Sequence, residues 1–370
     1  MNEVEKALIH GLFIHLHHNT DKAIDFGAFK RLNDQVAKTW ANTLIIGPDA
    51  NDDAAVVNIG SPETREGYIA AKMESHCSPC VPRPYDGAAT GASGAMRDVV
   101  AMGARPLFLL DFIGTRPLED SVIVGPCGFQ GRCTCGTCET MTSQDRLNIL
   151  LRGIRDMCEN MDVFVAGGGF STSLNDIVPA VVLTVIGKQV SQEPLTKPAK
   201  SIGDKLIIVG ETGIDGNDTL YRAGLVSQLL PAKALFEPEK ITMDAAIHAF
   251  KTEKINACSD LGAAGIGAAV CESARFGSLG AEVDLSAVPS KVNNISPEET
   301  LICETQGRML LQVPDHHTEE VIKAVEAQNA AAAIIGEITG EDKSIFWHGS
   351  DKIAEIPNKP SDETLEKVTS

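Results

Sequence analysis

Residues 68–106 read YIAAKMESHCSPCVPRPYDGAATGASGAMRDVVAMGARP, and their order decides the fold. An apolar run of strand length, Tyr68–Ala71, leads into Lys72-Met73-Glu74-Ser75-His76. A glycine-rich segment, Gly87–Gly94, reads as a loop that opens a helical stretch, Ala95–Met102, and a further strand follows at Leu107–Phe112. His76 stands where a strand gives way to irregular chain, a usual place for an acid/base or oxyanion-stabilising group; the alternative is a structural histidine. Glycines let backbone N–H groups approach phosphate oxygens, and a helix N-terminus adds partial positive charge. They also serve close helix packing. No Gly-Lys-Ser/Thr follows, so the run is not a Walker A loop, and it does not fit the dinucleotide-binding fingerprint.

Upstream, Pro48-Asp49-Ala50-Asn51-Asp52-Asp53-Ala54-Ala55-Val56 lies between strands read at Leu44–Ile46 and Ala55–Ile59. Adjacent carboxylates there suit a divalent cation such as Mg²⁺, or form an acidic turn that caps backbone amides. Residues 1–40 read as a helical extension, with Leu8, Leu12, Phe13 and Leu16 at helical spacing. His15, His17 and His18 read there as solvated surface, with a metal-binding pair as the alternative. Downstream come an amphipathic helix over about 143–159 and strands at Val163–Val165 and Val178–Ile186. The polar linker Ser191–Lys200 marks a domain boundary. Beyond it, strands at Lys205–Val209, Arg308–Val313, Ala332–Ile338 and Ser344–His348 alternate with helices near Asp218–Leu230, Asp244–Thr252, Gly262–Phe276 and His317–Gln328. The layout is α+β: a mixed-sheet first domain over 41–190, an α/β-like second domain over 200–350, and a polar, flexible tail over 351–370.

A length of 370 residues suits two such domains and is enough to bury a core without disulfides. Lys and Arg number 32 against 50 Asp and Glu, a net charge of −18, the wrong sign for a nucleic-acid or anionic-membrane binder. No apolar run approaches the length of a membrane span, and the N-terminus lacks the pattern of a secretion signal. A cytoplasmic protein with a small-molecule substrate is expected.

Six of the ten cysteines fall between Cys77 and Cys138. Cys77-Ser-Pro-Cys80 follows His76 directly, and Cys127, Cys133, Cys135 and Cys138 crowd a Gly/Thr-rich insertion at 125–139. Four thiolates in one short loop meet the requirement of a Zn²⁺ site or an iron–sulfur cluster; redox disulfides and free thiols are the alternatives. Cys158, Cys258, Cys271 and Cys303 read as buried small hydrophobes.

In this order, Lys72–His76, Gly87–Asp98 and Val99–Pro106 resemble the aminoimidazole-ribonucleotide-synthetase superfamily, in its phosphoribosylformylglycinamidine-synthase branch. Thr212-Gly-Ile-Asp-Gly216, Ser259–Ile266 and Cys303–Met309 agree, while Asp52-Asp53-Ala-Ala-Val is closer to the kinase and selenophosphate branches. The resemblance implies ATP- and Mg²⁺-dependent activation of an amide or carboxyl oxygen, followed by attack of a nitrogen nucleophile. It implies His76 as the catalytic residue, Lys72 as a phosphate contact, and Asp52, Asp53, Asp98 and Asp260 as metal ligands. It puts the nucleotide against Gly87, Ala88, Thr90, Gly91, Gly94, Arg97 and Gln306. It also implies a homodimer joined through the first domain's sheet. Cys77 and Ser78 depart from the family's Asn and second His, Gly169 from its Glu, and Ile214 from its Arg. The chain contains no glutaminase domain, so an ammonia- or sulfur-donating partner is expected. The rival readings are a small-molecule kinase or selenophosphate-type phosphotransferase, and a metal- or iron–sulfur-carrying maturation protein in which Cys77, Cys80 and the four insertion cysteines meet.

Overall fold

The computed structural model describes residues 1–15, 43–47, 50, 52–61, 66–213, 215–217, 221, 224, 227–228, 230 and 233–369. Most of the helix expected at Asp218–Leu230, together with Leu16, His17, His18 and Ile214, lies outside them.

The chain opens with α1 (Glu3–Ile9), whose Asn2 and Glu5 form a capping box. Val4, Leu8, Ile9 and Leu12 do not sit on an isolated extension; they are buried in the core of the second domain.

The first domain contains β1 (Leu44–Ile46), β2 (Ala55–Asn58), β3 (Tyr68–Ser75), α2 (Pro84–Ala101), β4 (Ala104–Gly114), β5 (Ser121–Val124), β6 (Glu139–Thr142), α3 (Ser143–Asn160), β7 (Phe164–Ser171) and β8 (Ala180–Gln189). Six of these strands form a sheet in the order β1-β2-β3-β8-β4-β7, with β4 and β7 parallel. Strand alternation sends Val181, Leu183 and Val185 to the inner, helix-covered face. Met73, Leu110 and Phe112 point to the opposite face and stay exposed. Cross-strand register aligns Met73, Thr184, Leu110 and Gly167 in one row, and Ser75, Val182, Phe112 and Gly169 in the next.

The reading of Gly87–Gly94 as a loop is corrected here, because the helix begins at Pro84 and takes in the whole run. From Gly87 to Ala101 every residue of α2 is buried. A helix enclosed on all sides needs small residues where it meets its neighbours. A Cβ on Gly87 would lie 2.7 Å from the Cys80 nitrogen, and one on Gly91 would lie 2.7 Å from the His76 Cβ. Helical N–H groups are already bonded along the helix, so Gly87, Ala88, Thr90, Gly91 and Gly94 are packing positions rather than a phosphate cradle.

The second domain contains β9 (Lys205–Val209), α4 (Phe236–Phe250), β10 (Ala257–Asp260), α5 (Gly265–Phe276), β11 (Gly280–Asp284), α6 (Pro297–Ile302), β12 (Met309–Val313), α7 (Thr318–Glu326), β13 (Ala332–Thr339), β14 (Lys343–His348), β15 (Asp351–Pro357) and α8 (Asp362–Thr369). Its sheet runs β10-β12-β9-β13-β11-β14-β15 and is mixed: β11 and β14 are parallel and the other described pairs antiparallel. The tail expected over 351–370 is instead a paired edge strand and a helix. Ala354 and Ile356 alternate into the core, and this short period-2 signal was hidden among charges. Among the described residues no helix is long and apolar enough to cross a membrane.

Candidate active site between the domains

Period-2 geometry places Lys72, Glu74 and His76 on one side of β3, the side that faces α2. Lys72 Nζ lies 2.7 Å from an Asp98 carboxylate oxygen and donates to the Asp53 carbonyl at 2.9 Å. Asp98 sits near the C-terminal end of α2. Asp260 ends β10, so the second domain supplies the third acid. Asp53, Asp98 and Asp260 each offer a carboxylate oxygen, and these lie within 4.8 Å of one another.

Three acids this close repel one another. Burial first, and then the nearby Asp260 charge, push Asp98 well above the ordinary carboxylate range. Burial raises Asp53 to about 7 against the pull of Lys197. Burial also raises Glu74. Burial alone would lower Lys72, but Asp98 and Glu74 hold it above its usual value. Asp53 Oδ2 is buried without a hydrogen-bond partner. A buried carboxylate oxygen left bare beside two further acids fits a divalent cation.

Asp52 is placed apart from this trio. One of its oxygens accepts the Lys197 backbone N–H at 2.9 Å and the Asp53 N–H at 3.2 Å, the capping role of an acidic turn.

Arg97 ties the halves together. Its guanidinium lies 2.7 Å from Glu239 on α4, 3.4 Å from Asp260 and 2.5 Å from the Gln306 side-chain oxygen. Ser93 Oγ donates to the same Glu239 oxygen at 2.8 Å. Arg97 thus positions the acid from the second domain, and Gln306 helps hold Arg97 in place.

His76 Nδ1 lies 2.6 Å from the Gly87 carbonyl oxygen. A carbonyl only accepts, so Nδ1 carries the proton and Nε2 is left as the basic nitrogen. Burial lowers the ring's pKa, which keeps it neutral at neutral pH.

Three residues of this site escaped the sequence reading. Lys197 Nζ lies 2.5 Å from Asp53 and 3.0 Å from Glu272, yet it comes from the segment read as a linker. Glu239 lay between the helices read near Asp218–Leu230 and Asp244–Thr252, because α4 starts earlier than its pattern showed. Glu74 had a signal, its alternation with Lys72 and His76.

The cysteines divide. Cys127, Cys133, Cys135 and Cys138 bring their sulfurs within 4.8 Å of one another in the insertion. Cys77 and Cys80 do not join them, which corrects the reading of six thiols at one centre. The Cys80 thiol donates to the His76 carbonyl at 3.0 Å, and burial pushes its pKa up; Cys77 Sγ accepts the Val181 N–H at 3.4 Å.

Comparison with known proteins identifies the two domains. Residues 51–189 match the model of the AIR synthase related protein N-terminal domain, and residues 201–348 that of its C-terminal domain. The chain is 31% identical over 369 residues to phosphoribosylformylglycinamidine synthase subunit PurL of Methanocaldococcus jannaschii, covering 96% of this chain and 46% of that protein. It is 30% identical over 339 residues to the same subunit of Prochlorococcus marinus, covering 88% and 40%. It therefore spans less than half the length of these relatives. T. maritima PurL complexed with ATP superposes with a TM-score of 0.63 at 26% identity, over 79% of this chain and 43% of that one. The HypE–HypF complex gives a TM-score of 0.59 at 16% identity, over 89% and 99%, a likeness of fold. With both family domains matched in sequence order over most of its length, the chain belongs to the AIR synthase related family.

Proposed function

We propose that this protein is an ATP- and Mg²⁺-dependent carbon–nitrogen ligase of the phosphoribosylformylglycinamidine-synthase type. The observation that carries the reading is the convergence of Asp53, Asp98 and Asp260 from two domains, with one buried oxygen lacking a partner and two lysines alongside. Asp53, Asp98 and Asp260 would hold Mg²⁺, which neutralises phosphoryl charge, while ATP supplies the phosphoryl group that activates a substrate amide oxygen. Lys72 and Lys197 add positive charge at the same place. His76, neutral and fixed through Nδ1, offers Nε2 to take a proton from the attacking nitrogen. Arg97, held by Glu239, keeps the two domains in register around the acids.

A homodimer fits this reading. The outer face of the first sheet exposes Met73, Leu110 and Phe112, and its edge strand adds Phe164 on the same side, an apolar surface that a second copy would cover. Ammonia would come free or from a partner protein; a solved relative is the PurLQS assembly of Thermotoga maritima.

The test is ADP release by the purified chain with Mg²⁺, formylglycinamide ribonucleotide and ammonium. That substrate is the one bound in another T. maritima PurL structure. Release that needs all three, with an amidine product by mass spectrometry, supports the ligase. ADP release that leaves a stable phosphorylated alcohol would instead favour the kinase reading, to which Asp52-Asp53-Ala-Ala-Val is the pointer.

A further inference from the structure

The insertion between β5 and β6 has almost nothing apolar to fold around. Residues 125–138 read GPCGFQGRCTCGTC, and the one large hydrophobe, Phe129, is half exposed. A segment this short without a core needs a covalent or metal crosslink to hold one shape. It nevertheless has a defined shape. β5 and β6 pair up to Val124 and Glu139, so Cys127 and Cys138 leave the closed end of a ribbon. Gly125, Gly131 and Gly136 take positive φ, which lets the chain double back.

The sulfurs show which crosslink fits. Cys135 Sγ lies 3.2 Å from Cys127 Sγ, 3.9 Å from Cys133 Sγ and 3.6 Å from Cys138 Sγ. A disulfide needs about 2.05 Å and joins sulfurs in pairs, whereas here all four converge on one point. Four thiolates around one Zn²⁺ at about 2.3 Å stand about 3.8 Å apart along the edges of a tetrahedron. In a cluster of two or four irons the ligands sit on different metal atoms, so their sulfurs are spread further. The Cys127 N–H also points at Cys138 Sγ at 3.4 Å, the kind of donor that offsets negative charge on a metal-bound thiolate.

From this convergence we infer that Cys127, Cys133, Cys135 and Cys138 hold a single tetrahedral Zn²⁺ ion, a site separate from the carboxylates and independent of the ligase reading. The ion closes the insertion, and the insertion braces the catalytic turn. Gly128 packs against Val81, where an added Cβ would lie 2.5 Å from Val81 Cγ1. Val81 follows Cys80, whose thiol is bonded to the His76 carbonyl.

The test uses the whole chain, expressed with zinc and iron both supplied and purified without chelator. One zinc per chain with no acid-labile sulfide is expected. Exchange into Co²⁺ should give the visible and thiolate charge-transfer bands of tetrahedral sulfur coordination. Cys135→Ser/Cys138→Ser should lose the zinc. Several irons with sulfide, one iron without zinc, no metal at all, or disulfides among the four cysteines would each overturn the assignment. If the double variant fails to fold, zinc content and cobalt spectrum of the unmodified chain decide alone.

Discussion

Asp53, Asp98 and Asp260 stay together because cations stand between them: Lys72 against Asp98, Lys197 against Asp53 and Arg97 against Asp260. This makes cation binding depend on protons. Asp53 rises from 3.8 in the unfolded chain to about 7 in the fold, chiefly through burial. In the metal-free protein its contribution to stability is complete below pH 3.8 and is lost as pH rises through about 7. Mg²⁺ must displace that proton, so it binds better once the proton has gone. The Mg²⁺-induced rise in melting temperature should therefore be larger at about pH 8 than at about pH 6. Equal rises by scanning fluorimetry at both values would remove Asp53 from the metal site. Arg97 gives a second residue-level expectation. Glu239 is fully buried and Arg97 nearly so. Glu239→Ala would leave a buried guanidinium without its main partner and should cost about 3–5 kcal/mol in denaturant unfolding. A loss near zero would mean the pair is relaxed by water.

At the scale of elements, α2 decides where His76 stands. Gly→Ala inside a helix ordinarily gains about 1 kcal/mol. At Gly91 the new methyl would meet the His76 Cβ at 2.7 Å and Leu183 Cδ1 at 3.0 Å, both in close-packed surroundings. Gly91→Ala should therefore destabilise, by about 1–3 kcal/mol, and shift the His76 ring resonances in NMR. A stabilised variant with an unmoved histidine would show that the glycine is not there for contact. The same helix shows why some elements were legible and others were not. Lys205–Val209 and Leu44–Ile46 were readable because unbroken apolar runs carry one meaning. Gly87–Gly94 was misread because glycine marks both a loop and a tight helix contact, and only the neighbours decide. β5 and β6 escaped because each is a four-residue strand that depends on its partner more than on its own pattern, and β15 because charged residues mask its alternation.

The whole molecule is two domains with the candidate site at their junction, and that junction was only half legible. Asp98, Asp260 and His76 were visible as residues of ordered motifs. Lys197 and Glu239 were not, because their roles come from contacts to Asp53 and Arg97, 144 and 142 positions away, which leave no local period. Assembly belongs at this scale too. Light scattering should give about twice the 39.3 kDa chain mass, and Phe112→Asp, set in the exposed apolar row, should shift it to monomer with its helix content kept. A wild-type monomer at micromolar concentration would mean that something else covers the sheet. The proposed function turns on the three acids from two domains acting as a metal–nucleotide site. Its most direct test is Mg²⁺-dependent ATP turnover by wild type, Asp98→Asn and Asp260→Asn, each with its melting temperature checked. Turnover should fall by orders of magnitude in both variants while they remain folded; wild-type rates in both would contradict the account.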